Sequence, residues 1–349
     1  MTTDPVRTAA ARSAELEARI AAHPGRFRVL TGDRPTGPLH LGHLFGTLAN
    51  RVRLQRAGVE VFVLIADYQV ITDRDAAGDL PGAVLGLLLD QLAAGLDPER
   101  TTVFAHSAVP ALNQLVLPFL SLVSVAELQR NPTVKAEAEA AGDRPLSGLL
   151  LTYPVHQAAD ILFCGGNLVP VGRDQLPHLE LTRTIARRFT QRYGPLFAEP
   201  DALLSSAPAL LGTDGTKMSK SRGNAIALRD SPDRTAELLR RAVTDAERTI
   251  TYEPERRPEV SNLVLLGALC RGEDPTAFAD GVGSGGAAAL KACVVEAVNE
   301  HLRPLRARRA ELARDPAAVL AVLRRGDERA GAIAEDTLSR VRTAMGMRY

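Results

Sequence analysis

Apolar positions along this chain of 349 residues follow two different periods. Short β-branched or continuous apolar runs at residues 28–31, 59–65, 103–104 and 169–171 predict buried strands. Between them, apolar residues recur at helical spacing over 41–57, 81–95, 111–130, 146–163 and 174–193. Strands alternating with helices in this way predict an α/β fold with a parallel sheet and crossover helices. Asp4-Pro5 opens an earlier helix, with Asp4 as N-cap. After Asn224 the strand signals stop. Ser231-Pro232, Asp274-Pro275 and Asp315-Pro316 each start a helical stretch. The expected division is an N-terminal helical extension (1–25), an α/β domain (26–228) and an α-helical domain (229–349). Gly281, Gly283 and Gly286 match a dinucleotide-binding spacing, but they follow a helical pattern instead of a strand, so they are expected to connect two helices.

Composition narrows the class. A hydrophobic share of 45% and a charged share of 24% exclude disordered, collagen-like and coiled-coil descriptions of the whole chain. The net charge of +1 announces no global basic field, so any nucleic-acid surface must be a local patch. Cys164, Cys270 and Cys293 are scattered and form no C-x-x-C pair, which points to a reducing compartment and to no zinc site. The longest apolar run, 84–89, is too short to span a bilayer, and the N-terminal stretch lacks a signal core. A cytoplasmic protein without membrane segments is expected. Tryptophan is absent, and only four lysines (Lys135, Lys217, Lys220, Lys291) accompany 38 arginines. A chain that uses arginine for routine charge keeps lysine where a compact ammonium is needed.

Two segments carry chemistry. Pro38-Leu-His40-Leu-Gly42-His43 stands at the start of the first crossover helix, where free backbone N–H groups suit a phosphate. Its two imidazoles can donate hydrogen bonds without a permanent charge, and Gly42 permits close approach. The second segment is Gly212-Thr-Asp-Gly-Thr-Lys217-Met-Ser-Lys-Ser221-Arg-Gly-Asn224. It is expected to be a mobile loop that closes on a polyphosphate through its two ammonium groups.

In order, separation and context these segments resemble the HIGH and KMSKS signatures of class I aminoacyl-tRNA synthetases. Further blocks are similar to the bacterial tryptophanyl-tRNA synthetases: Asp67-Tyr-Gln-Val-Ile-Thr72, Leu150-Leu-Thr-Tyr-Pro154, Gln157-Ala-Ala-Asp-Ile161, Val169-Pro-Val-Gly-Arg-Asp-Gln175, His178-Leu-Glu-Leu-Thr-Arg183, Ala242-Val-Thr-Asp245, Ser261-Asn-Leu263 and His301-Leu-Arg-Pro304. The likeness spans about residues 26–349. It implies a Rossmann-like catalytic domain and a helical domain that binds the tRNA anticodon. The implied reaction is ligation of L-tryptophan to tRNA(Trp) through tryptophanyl-AMP, with release of pyrophosphate. ATP would bring its own Mg2+, with no dedicated metal cage in the protein. A homodimer is implied.

By the family pattern His40, His43, Lys217 and Lys220 are catalytic. Arg34, Pro35, Thr36, Gly42, His43, Gly172, Arg173, Asp174, Lys217, Met218, Ser219, Lys220 and Ser221 bind ATP. Gly32, Gln69, Tyr153, Gln157, Asp160, Val169, Val171 and Gln175 surround tryptophan, with Asp160 accepting from the indole N–H.

Four positions depart from the pattern. Arg34 stands where glutamine is usual, Gln69 where histidine is frequent, Gln157 where methionine is frequent, and Glu137 where a lysine is common on the helix around Lys135. With Tyr153 and Asp160, Gln157 also spells the tyrosine-reading pattern of tyrosyl-tRNA synthetases. That enzyme and a non-catalytic tRNA- or tryptophan-binding paralogue are the alternatives. The departures suggest a divergent or second isoform with altered tolerance for tryptophan-like inhibitors. Two arginine groups, Arg183/Arg187/Arg188/Arg192 and Arg303/Arg306/Arg308/Arg309, are either tRNA contacts or salt-bridged surface.

Overall fold

The computed structural model describes residues 5–72, 78–141, 146–172, 175–204, 210–220 and 222–349. Five strands, β1 (Arg28–Asp33), β2 (Glu60–Ile65), β3 (Thr101–Ala105), β4 (Leu168–Val171) and β5 (Asp201–Leu204), form one sheet in the order β3-β2-β1-β4-β5. Every pairing is parallel, with Val29 opposite both Val61 and Leu168. The expected Rossmann-like α/β architecture is present.

Helices cover both faces. The apolar run of β2 is continuous because neither face meets water. Val61, Val63 and Ile65 join one core, and Phe62 and Leu64 join the other. The chain winds outward from β1 through β2 to β3, then crosses back to β4. The carboxyl ends of β1 and β4 therefore flank a topological switch point, where open α/β sheets place ligands.

In chain order the helices are α1 (Pro5–Ala22), α2 (Leu41–His43), α3 (Ala49–Ala57), α4 (Leu80–Ala93), α5 (Pro110–Gln114), α6 (Val116–Leu120), α7 (Val125–Arg130), α8 (Pro132–Ala141), α9 (Gly148–Leu162), α10 (Leu176–Tyr193), α11 (Pro232–Arg240), α12 (Pro258–Arg271), α13 (Pro275–Val282), α14 (Gly286–Leu312) and α15 (Pro316–Ala344). The three late starts are capped as their sequences demand. Ser231 accepts from Arg234 N–H, Asp274 from Thr276 N–H and Asp315 from Ala318 N–H. The cap expected at Asp4 lies outside the described residues. Gly283 and Gly286 take positive φ in the turn between α13 and α14, as a helix connection requires. The stretch Pro275–Leu312 is long and apolar enough on average to cross a membrane. It is broken at that turn, and α14 packs on α11 and α12.

Two readings are corrected, and a third falls on residues outside the described ones. The helix expected over 111–130 is three short ones, because Pro118 cannot donate to Gln114 and because Ser124 and Glu127 build a new capping box. Strand β5 carried no β-branched signal and was not anticipated. Helix α10 begins at Leu176, and Asp174, where its start was expected, lies outside the described residues.

Both edges of the sheet are closed by helices from opposite ends of the chain. On β5, Leu204 N–H donates to Ser13 Oγ of α1 at 3.0 Å. On β3, Ala105 N–H donates to Asp327 of α15 at 2.8 Å. Helix α15 approaches so closely that a Cβ on Gly326 would sit 1.8 Å from Val103 O. Exposed strand edges invite pairing with other chains, and these two helices remove both.

Candidate active site

The first motif follows β1 and turns into α2. The end of β1 is clamped from beneath by Arg51 of α3. Arg51 is 2% exposed and donates to Thr31 Oγ1, Gly32 O and the Asp33 carboxylate. Gln91 of α4 adds a hydrogen bond to Asp33 at 2.9 Å. Burial raises the Asp33 pKa, but Arg51, His43 and Gln91 together hold it below the ordinary value. At Gly32 a side chain would meet Leu64 O at 2.8 Å, so only glycine fits there.

His40 precedes α2, and its backbone N–H donates to His43 Nδ1 at 3.2 Å. An acceptor Nδ1 leaves the proton on Nε2, so His43 presents a neutral N–H donor. The two rings are 3.8 Å apart, and His40 Nδ1 is buried without a partner among the described residues. Burial, aided by His43 and Lys220, pulls the His40 pKa down to about 3. Burial also pulls His43 down to about 4, against the pull of Asp33. A side chain at Gly42 would press on the His40 ring at 3.0 Å, which accounts for glycine between the histidines. Past His43 the helix widens into a π-helical turn, Leu44–Leu48, before α3.

The second motif is brought onto the first by backbone pairing. Leu41 N–H donates to Ile226 O and Leu228 N–H to Leu39 O, a short antiparallel bridge across His40 and Ala227. Met218 packs beside Gly42, and Lys220 Nζ donates to Gly37 O at 3.0 Å. Burial lowers the Lys220 pKa, with Arg34 adding to the effect and Asp33 and Asp90 opposing it. Lys217 is exposed.

Within the loop that its glycines mark, one side chain gathers the backbone. Asn224, 3% exposed, donates to Asp214, Thr216 and Lys217 O, and accepts from Ser219 N–H. Gly212 is required there because any side chain would overlap Asn224.

The proposed amino-acid end lies on the other face of the sheet. Val169 and Val171 of β4 share a core with Val155, Ala158 and Ala159 of α9. Tyr153 O–H pairs with His178 Nε2 at 2.8 Å. Asp160 is 1% exposed and is held by His106 Nε2 at 2.5 Å. Asp67 binds Ser107 N–H at 3.1 Å, joining the Gln69 segment to the His106 turn. Gln157, Gln69 and Gln175 are half-buried, whereas Gly32, Arg34, Thr36 and Gly172 are exposed and Pro35 is buried. Arg173, Asp174 and Ser221 lie outside the described residues.

Sequence reasoning missed several residues. Asp33, Arg51, Gln91 and His106 belong to no motif, and neither does Asp90. That carboxylate, 0% exposed, accepts from Leu39 N–H at 3.1 Å and from Arg309 of α14 at 2.7 Å.

Among the described residues, six of the eight arginines in these groups form ion pairs, Arg309 with Asp90 among them. Arg183 binds Pro200 O and Glu180, Arg187 binds Glu199, and Arg188 binds Glu127. Arg306 binds Thr235 and Asn299, while Arg303 and Arg308 pair with Glu300 and Glu311. Lys291, which sequence left unexplained, caps the end of α11 through Arg240 O at 3.2 Å.

Comparison with known proteins identifies the family. The model of the family described as tRNA synthetases class I (W and Y) matches residues 23–302. A tryptophan--tRNA ligase of Treponema pallidum (strain Nichols) is 44% identical over 328 residues, covering 92% of this chain and 97% of that protein. One of Streptococcus agalactiae serotype V is 40% identical, covering 92% and 98%. The tryptophanyl-tRNA synthetase of Campylobacter jejuni, solved with ADP and tryptophan, is 28% identical with a TM-score of 0.80, covering 92% of this chain and 100% of that one. A family model that matches most of the chain, and a relative 44% identical along almost its whole length, show that the chain belongs to the bacterial class I tryptophanyl-tRNA synthetases.

Proposed function

We propose that the chain joins L-tryptophan to tRNA(Trp) at the expense of ATP. The observation that carries this reading is the bridge of Leu39–Leu41 onto residues 226–228, which brings both motifs over the carboxyl end of β1. In the first step a tryptophan carboxylate oxygen attacks the α-phosphorus, and the bond to pyrophosphate breaks. In the second, a hydroxyl of the terminal tRNA adenosine attacks the acyl carbonyl and AMP leaves.

The protein's task is to position these groups and offset developing charge. His40 and His43 act as neutral donors on the α-phosphate side. Lys217 and Lys220, with Met218, Ser219 and Ser221 beside them, hold the leaving pyrophosphate. Arg34, Pro35, Thr36 and Gly42 line the nucleotide, and Gly172, Arg173 and Asp174 take its ribose. ATP-borne Mg2+ would share the phosphate charge. The groups aimed at that side are donors, and Asp33 is already engaged by Arg51.

Asp160 reads the indole N–H. Gly32, Gln69, Tyr153, Gln157, Val169, Val171 and Gln175 complete the amino-acid site. Residues 26–228 form the catalytic part, with 1–25 as a helical extension, and 229–349 bind the tRNA. The exposed Leu117 and Val125 offer an apolar face to a second copy in a homodimer, and the setting is the cytoplasm.

ATP–pyrophosphate exchange with tryptophan and with tyrosine tests the reading. Exchange is expected with tryptophan, and exchange with tyrosine alone would overturn it. Lys220→Ala should slow exchange by about 10²-fold with tryptophan affinity little changed.

A further inference from the structure

We infer that His106 is a positioning residue for the amino-acid site, holding the Asp160 carboxylate in the plane from which it accepts the N–H of the bound side chain. This rests on the reading of Asp160 given above.

An aspartate's terminal torsion is soft and broad, so its carboxylate plane is fixed only by what binds it. Here one oxygen is taken by His106 Nε2 at 2.5 Å, deep in the protein. The other remains for a ligand donor. The His106 ring is itself fixed. It stacks on His156 with centroids 4.4 Å apart and planes 12° from parallel, and Tyr68 runs nearly parallel to it at 6.3 Å. His156 Nε2 binds Asn113 Oδ1 at 2.7 Å, and Asn113 donates back to His106 O at 3.3 Å. The neighbour Ala105 is tied to Asp327, and Ser107 to Asp67.

The charged and titratable groups around the ring are thus Asp160 and His156 on α9, Asp67 and Tyr68 after β2, and Asp327 on α15. Burial opposes a proton on His106, but Asp160 and Asp67 outweigh it and raise its pKa above the ordinary value. His106 is therefore kept as a donor toward Asp160.

Donor atoms of His106, His156 and Asp160 lie within 4.8 Å of one another, near enough for a metal ion. The stacking argues otherwise. Lone pairs of two nearly parallel rings stay in separate planes and cannot both point at one ion about 2.0–2.1 Å from each nitrogen.

The experiment is tryptophan-dependent pyrophosphate exchange by the full chain and by His106→Leu, His106→Gln, Asp160→Asn and the His106→Leu/Asp160→Asn double variant, each checked for folding by its thermal melt. His106→Leu should raise the tryptophan KM about tenfold or more while the ATP KM and kcat move by less than about twofold. His106→Gln, which keeps a donor, should restore most of that loss. The double variant should be no worse than Asp160→Asn, since His106 acts through that carboxylate. Additive losses, or equal losses in kcat and KM from both His106 variants, would reduce His106 to a packing residue. Stoichiometric zinc retained by the wild type and lost in His106→Leu would replace the proposal with a metal site. An unaltered tryptophan KM in Asp160→Asn would overturn the reading of Asp160 itself. An unaltered KM in His106→Leu alone would overturn only the inference about His106.

Discussion

At the scale of single residues, His40 and His43 show how burial selects a chemical role. Their pKa values fall to about 3 and about 4. Between pH 6.5 and about 4 the unfolded chain takes up protons that the folded chain refuses, so stability must fall as the solution is acidified through that window. The melting temperature is expected to drop between pH 7 and pH 4.5, and to drop less in a His40→Asn/His43→Asn variant. Parallel curves would remove the histidines as the cause. These two residues were legible in sequence because their motif is local, with only two positions between the histidines. Arg51, which clamps the end of the same strand, was not, because its Asp33 partner is 18 residues away. His106 and Asp160 are 54 apart, and nothing in a periodic pattern marks a pair that only the fold brings together.

At the scale of elements, the lysine loop is organised by one side chain. Asn224 spends its amide on four partners within the segment it closes. Its replacement by alanine should cost about 1–3 kcal/mol in a urea unfolding series and raise the ATP KM several-fold. A change in stability without a change in ATP KM would show that the loop's internal order is irrelevant to nucleotide binding. Glycines advertised a turn here, but the buried amide that fixes it carries no pattern of its own. The strands were legible wherever β-branched residues ran together. Strand β5, Asp201-Ala-Leu-Leu204, has none, and its place in the sheet is decided by pairing with β4 and by contact with α1. The break of 111–130 into three helices was signalled by Pro118 and Ser124, against an apolar periodicity that continues through them.

Over the whole molecule, Arg309 links the helical part to the first motif. Asp90 receives Arg309 on one oxygen and the N–H of Leu39, next to His40, on the other. Removing one partner of a buried pair is costly. Arg309→Met should destabilise the protein by about 3–5 kcal/mol in denaturant titration and lower the exchange rate. Unchanged exchange in a folded variant would limit the link to stability. Asp327 gives a second, opposite test. Burial first, and then the charge of Asp67, push its pKa up to about 6 although Ala105 N–H favours the anion. A carboxyl whose folded pKa is raised weakens the fold above that pH and relaxes the penalty as pH falls through 6 toward the ordinary 3.8. Asp327→Asn should therefore melt higher than the wild type at pH 8, with the gap closing by pH 4.5. The helix that carries Asp327 has a consequence for biosynthesis. The outer edge of β3 is closed by residues more than 200 positions later in the chain. A polypeptide emerging from the ribosome at about 5–20 residues per second must hold that edge open for at least ten seconds or so before its cover exists. During that interval the nascent sheet is a template for any passing strand, so demand for chaperones should end only when the last helix has been made.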